Sequence, residues 1–392
     1  MTADYRARAA LAATPHGRLS DLREGMINSA TTEWISADAH ALEKKTSLKF
    51  SDIILSKTAY PSAAFVNVPE CNVSQDTIAV KLTKSAQTEF KSGYVVAFLN
   101  SRIGMTLMHR EFQGNVQPHL SLDDGKKLPI PKLSFQFQCR IDEVIRSVNA
   151  TNDERKERLA EAETALLASL GLAGWTPPEP LSYTARAAAA LAAARLDAQF
   201  YAPRIRALLD LLGRDGRTLS DIAKPRRDRF SARKCDTFHY IEIGDVEGGG
   251  GLGASLLDAA DAPSRATWHV RGGDVLTSTV RPIRRLSAIV APQQDRYVAS
   301  SGFAVLQPTG VTPEVLMTFL RLPAICELMD LYASASMYPA ISEADIFGLP
   351  IPLVPDEVAE TVTKAVQSAF AARARSRALL TAAKRAVELA IE

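Results

Sequence analysis

Apolar positions recur three and four residues apart over two long stretches, 135–170 and 356–391. That spacing lays one stripe along a helix. In the first stretch the stripe runs through Phe137, Ile141, Ile145, Val148, Leu159, Ala162, Leu166 and Leu170, and Gly171 follows as a stop. In the second, Val362, Val366, Leu380 and Val387 stand 221 positions after Ile141, Ile145, Leu159 and Leu166. A helix of about 36 residues extends roughly 54 Å at 1.5 Å per residue. Neither helix can bury its stripe alone, so the economical arrangement packs the two as an antiparallel coiled coil.

The rest of the chain alternates shorter elements. The β-branched, apolar segments 52–56 and 274–278 read as strands, as do 77–82 and 303–306. Segments 94–109 and 312–332 carry helical spacing, the second with Pro313 where a first-turn proline belongs. These elements come in two sets. Leu128-Pro129-Ile130-Pro131 recurs as Leu349-Pro350-Ile351-Pro352, and Pro118 and Phe98 recur as Pro339 and Phe319 in the same 221-residue register. Upstream the offset drifts. It is 222 between 52–56 and 274–278, 225 between Ile78-Ala79-Val80 and Phe303-Ala304-Val305, and 200 between Leu19-Ser20-Asp21-Leu22 and Leu219-Ser220-Asp221-Ile222. An internal repeat of this length means two related domains, each followed by a long helix. The first copy opens differently, without a counterpart of Arg195 to Tyr201.

Composition refines this picture. With 392 residues, 46% of them hydrophobic, there is material for two cores, and 7% aromatic content favours helices over an all-strand design. The formal net charge of +2 means that any anion-binding charge is local. Cys71, Cys139, Cys235 and Cys326 are scattered without metal-ligand spacing and read as reduced thiols, with no metal site. No leader pattern follows Arg6 and Arg8, and no apolar run is long enough to span a bilayer, so a cytoplasmic chain is expected.

The second copy carries the more telling motifs. Trp268-His269-Val270 leads into Gly273-Asp274-Val275-Leu276-Thr277-Ser278 and Val280-Arg281-Pro282. Ala299-Ser300-Ser301-Gly302-Phe303-Ala304-Val305, Tyr338-Pro339-Ala340-Ile341-Ser342 and the Leu-Pro-Ile-Pro segment follow in order. Over about 196–352 this resembles the target-recognition domain of type I restriction–modification specificity subunits. The first copy resembles it through 50–56, 76–80 and the run from Pro118 to Pro131. The resemblance implies an α+β chain of two pseudo-repeated mixed α/β target-recognition domains separated by two long helices. The expected boundaries are 1–131 for the first domain, 132–172 for the first helix and 173–195 for a Pro/Ala-rich linker. The second domain then spans 196–352 and the second helix 353–392. It further implies a non-catalytic protein that reads a bipartite duplex DNA target. The helices would set the spacing and dock methyltransferase subunits, typically two, that hold the S-adenosylmethionine, and a translocating nuclease subunit can join. A scaffold of similar fold that has lost sequence reading is the alternative.

DNA contact calls for cations at phosphates and forked donors at base edges. The run 217–234 has a local charge of about +5 and offers Arg226, Arg227, Arg229, Arg233 and Lys234. The loop after the second copy's main strand offers Arg281, Arg284 and Arg285, and its counterpart offers Lys57 and Tyr60. The loop leading into Gln117-Pro118 in one copy and Tyr338-Pro339 in the other offers Arg110, Gln113 and Gln117, and Ser336 and Tyr338. Enzymatic motifs fare worse. The one Pro-Pro, in Thr176-Pro177-Pro178-Glu179, has the wrong flanks for an amino-methyltransferase loop, and Glu154-Arg155-Lys156 lies within the first long helix. Gly248 to Gly253 formally fits Gly-x-Gly-x-x-Gly after a strand near 240–243, with 254–260 as a short candidate helix. Pro263 cuts that helix, so a loop between strands is the preferred reading and a nucleotide-binding enzyme the distant one.

Overall fold

A computed structural model describes residues 13–17, 22–23, 25–27, 33–114, 118–177, 179–333 and 339–392. The chain forms two compact units, one of residues 1–157 together with 369–392, the other of residues 158–368. Both are mixed α/β. The two long helices, Phe135–Leu170 and Asp356–Ile391, have the bounds read from their periodicity. Each contributes one end to each unit.

In the second unit the main strand Val275–Ser278 lies between Ser287–Ile289 and Phe303–Pro308, antiparallel to both, with Ala223–Pro225 at the far edge. A second sheet holds Thr237–Ile241 between Ser255–Asp258 and Val298–Ser300, and Ala266–His269 completes it. In the first unit Ile53–Ser56 lies likewise between Ala63–Phe65 and Thr77–Val80. The register corrects the sequence alignment by one residue. Ile53 pairs with Val80 and Val275 with Leu306, so Val80 corresponds to Leu306 at an offset of 226. A slip of one would have put every side chain of that strand on the wrong face.

Each expected helix after these strands is two helices. The segment 94–109 divides into Ser92–Leu99 and Arg102–Glu111. Between them the Asn100 side chain bonds to the backbone of Ala63, and Ser101 caps the second helix by accepting from Gly104 N at 3.2 Å. The segment 312–332 divides into Pro313–Leu320 and Pro323–Tyr332, because Pro323 cannot continue a helix but starts one well.

Helix Ser92–Leu99 is buried from Gly93 onward, clasped between the sheet and the first long helix. Gln138 and Asp142, one turn apart on that long helix, satisfy its free N-terminal donors. Gln138 accepts from Lys91 N at 3.1 Å and Asp142 from Gly93 N at 2.8 Å. In the second unit the matching contact joins Thr312 to Thr363, 2.8 Å apart, and Thr363 stands 221 positions after Asp142. The close approach requires glycine at 93, where a Cβ would lie 2.7 Å from Asp142 Oδ1 and 2.8 Å from its Cα. Gly93→Ala should therefore destabilise the first unit by about 1–3 kcal/mol through overpacking. A thermal unfolding midpoint equal to wild type would show that the helix does not dock this tightly.

The long helices are part of these cores. Ile141, Ile145 and Val148 share one apolar cluster with Leu380, Ala383 and Val387 and with Tyr94, Phe98 and Phe65 of the first unit. The Arg375 guanidinium bonds the Glu154 carboxylate across the same helix pair. This is a coiled-coil-like pairing within that unit. In the second unit Leu166, Val362 and Val366 are buried and Leu159 is half-buried.

Candidate functional site

The two loops singled out in each copy lie side by side, held by the same backbone bonds. In the first unit Ala59 N donates to Pro118 O at 3.2 Å and Leu120 N to Lys57 O at 2.7 Å. In the second, Arg281 N donates to Pro339 O at 2.9 Å and Ile341 N to Thr279 O at 2.9 Å. A serine ends the main strand in both and folds its hydroxyl back on the loop, Ser56 onto Tyr60 O and Ser278 onto Val280 O. Both loops then pass through a left-handed residue that is not glycine, Ala59 at φ 65° and Arg281 at φ 49°. Such a residue costs about 1–2 kcal/mol, so packing on both sides must hold it in place. The second loop carries another, Arg285 at φ 59°.

In the first unit Lys57 is half-buried and Tyr60 exposed beside this junction. Arg110 is exposed and its Nε bonds Glu111 at 3.0 Å. Gln113 exchanges both backbone bonds with His119, and its side chain reaches Asp124 at 3.4 Å. Gln117, Ser336 and Tyr338 lie outside the described residues.

The basic run of the second unit is not one patch. Arg226 is turned inward. Its Nε and Nη2 bond both oxygens of Asp274 at 3.0 and 2.7 Å, in a pair where Asp274 is only 2% exposed. The bond to this carboxylate raises the already high guanidinium pKa further. Arg227 chelates Glu343 through Nη1 at 3.1 and 2.9 Å and lies over the Trp268 ring. The chain from Asp228 to Phe230 is then strapped across strand Ala266–His269, with Phe230 N on Thr267 O and His269 N on Asp228 O. Arg229, Arg233 and Lys234 are exposed and make no ion pair among the described residues.

The Arg281–Arg285 loop separates its arginines in the same way. Arg281 and Arg284 are exposed, and Arg284 has no carboxylate partner among the described residues. The Arg285 guanidinium bonds Glu163 of the first long helix at 2.7 Å and the carbonyl of Arg321 at 2.5 Å. Arg321 answers by donating to the carbonyls of Arg285 and Ser287, at 2.8 and 3.1 Å, and to that of Gly248. Burial, with the Arg285 charge beside it, pulls the Arg321 guanidinium down to about 10. Arg321 and Glu163 were not read from the sequence, and nothing in residue spacing points to them.

The same arginine fixes the glycine run. Gly249, Gly250 and Gly251 are buried, and a Cβ on Gly250 would sit 2.3 Å from the Met317 sulfur. Segment 254–260 forms no α-helix. Ser255–Asp258 is a strand antiparallel to Thr237–Ile241. The glycines thus fill a turn between strands against the core, and no helix N-terminus stands there to receive a phosphate.

Among the described residues no group of three or more His, Cys, Asp or Glu is placed to hold a metal ion, and no helix is long and apolar enough to cross a membrane.

No protein-family model matches the chain. Over 105 residues it is 30% identical to the type I restriction enzyme HindI specificity subunit of Haemophilus influenzae, a match covering 26% of this chain and 23% of that protein. The matched segment thus spans about a quarter of that relative's length. Among solved structures, the HsdS subunit from Thermoanaerobacter tengcongensis aligns over 98% of this chain and 90% of its own, at 15% identity and a TM-score of 0.31. The type I restriction-modification system S subunit from M. genitalium aligns over 96% and 87%, at 13% identity and a TM-score of 0.34. The chain has a family-level resemblance to type I specificity subunits, carried by the sequence match.

Proposed function

We propose that the chain is the DNA-specificity subunit of a type I restriction–modification complex. The observation that carries this reading is the repeated junction. Both copies place the loop after the main strand against the segment at Pro118 or Pro339, through equivalent backbone bonds. Two equivalent readers suit the two halves of a bipartite duplex target. Residues 1–131 and 196–352 are the two readers, 173–195 the linker, and 132–172 and 353–392 the helices. The helices pair as an antiparallel coiled coil that sets the spacing and docks methyltransferase subunits. The chain itself is non-catalytic, and the partner binds the S-adenosylmethionine.

Phosphate contacts fall to the exposed cations Arg229, Arg233, Lys234, Arg281 and Arg284, while Lys57, Arg110, Gln113 and Gln117 serve the first reader and Ser336 and Tyr338 the second. Arg226, Arg227 and Arg285, each already bonded to a carboxylate, hold the reader's shape.

Co-expression with the products of neighbouring genes, followed by native mass spectrometry, tests the assignment. A complex of one such chain with two methyltransferase subunits that methylates a split sequence is the expected result. A chain that assembles with no methyltransferase would remove the proposal and leave a scaffold.

A further inference from the structure

One large apolar side chain stands exposed at each reader junction. Ile283 is 55% exposed and Tyr60 42%. Each follows the left-handed residue of its loop within two positions, Ile283 after Arg281 and Tyr60 after Ala59. A single exposed apolar residue needs no explanation by itself. The repetition does need one, because the two loops differ in length and sequence and yet agree in this. In the second unit the arrangement is also rigid. Pro282 is buried beneath the turn, Arg281 and Arg285 bracket it in left-handed conformations, and Arg285 is tied to Glu163 and Arg321. Ile283 is therefore held out at a fixed tip between two exposed cations, Arg281 and Arg284.

A surface that fits this tip is anionic on both sides and apolar between. The grooves of duplex DNA have that form, with phosphates along the rims and base edges, including the thymine 5-methyl, on the floor. We propose that Ile283 and Tyr60 are apolar base-contacting residues, one in each half-site, and set base preference where they touch. The inference rests on the DNA-reading function proposed above and names two specificity-determining residues within it. The flanking arginines bring the tip to the groove, and the apolar side chain discriminates between bases through contact with a thymine methyl or an exposed base face.

The test is selection from a randomised duplex library by the chain in its assembled complex, for wild type, Ile283→Ser, Ile283→Leu and Tyr60→Ser. Wild type should enrich a split sequence. Ile283→Ser should flatten preference by about tenfold at one or two adjacent positions of one half-site, and Tyr60→Ser should do so in the other. Ile283→Leu, which keeps an apolar tip, should retain the preference. Deoxyuridine at the affected position then separates the two contacts: loss of preference identifies the methyl, and retention identifies the base face. If wild type selects a sequence and both serine variants select the same one with equal stringency, the inference fails while the DNA-reading function stands. Loss of a partner subunit in place of base preference would also overturn it. If wild type selects nothing, the function itself fails and takes the inference with it.

Discussion

Replacing Arg229, Arg233, Lys234 and Arg284 together by glutamine should weaken duplex DNA binding by about 10³-fold at 0.15 M salt, and flatten the log–log salt dependence by about 3.6, if each cation neutralises one phosphate. The magnitude follows from counterion release, which contributes a slope of about 0.9 per phosphate contact. All four are exposed and none makes an ion pair among the described residues, so their removal leaves no carboxylate stranded. Arg226 lies in the same run but would report on something else, since its guanidinium is already bonded to Asp274. Fluorescence anisotropy over a range of salt concentrations separates the two effects. An unchanged slope with an unchanged affinity would show that this face does not meet DNA.

Asp274→Ala should cost the second unit about 3–5 kcal/mol, the usual cost of removing one partner from a buried ion pair. Asp274 is 2% exposed, and Arg226, 20% exposed, would lose both of its acceptors. The same carboxylate also accepts from Arg271 N at 2.8 Å, so a backbone donor is stranded with the guanidinium. For a unit of about this size the thermal midpoint should fall by roughly 10 °C. Arg226→Met combined with Asp274→Leu should recover most of the loss, because two apolar groups replace two unpaired ones. A single variant that melts with wild type would mean that the pair is solvated in solution.

Legibility in the sequence followed the range of the interactions. The long helices were legible to the residue, because the first stripe ends at Gly171 and the second helix starts after Pro355. Helix breaks inside the domains were missed where the signal was subtle, as with the Ser101 cap, but also where it was plain, as with Pro323. Segment 254–260 was read as a loop, with a short helix as the lesser candidate, and pairing with Thr237–Ile241 makes Ser255–Asp258 a strand. Charge was the least legible. A count of cations along 217–234 could not show that Arg226 meets a carboxylate 48 positions away and Arg227 one 116 away. Nor could it show that Arg285 meets one 122 positions back. The loop junctions were legible only as a repeat. Their geometry depends on backbone bonds and left-handed residues that side-chain identity does not announce.

The first unit is discontinuous, and that bears on how the protein is made. Its core includes Leu380, Ala383 and Val387, and Glu388 accepts from Arg102 N at 2.7 Å across 286 positions. During vectorial synthesis residues 1–157 therefore leave the ribosome with an apolar face that has no cover until residues 369–392 are translated. At about 5–20 residues per second, the intervening 158–368 impose a delay of roughly 10–40 s. The second unit, continuous in sequence, has no such wait. Nascent first unit must stay soluble as an incomplete core over that interval, which makes it the natural client for a ribosome-associated chaperone. Contacts this distant also raise the contact order and slow refolding from denaturant.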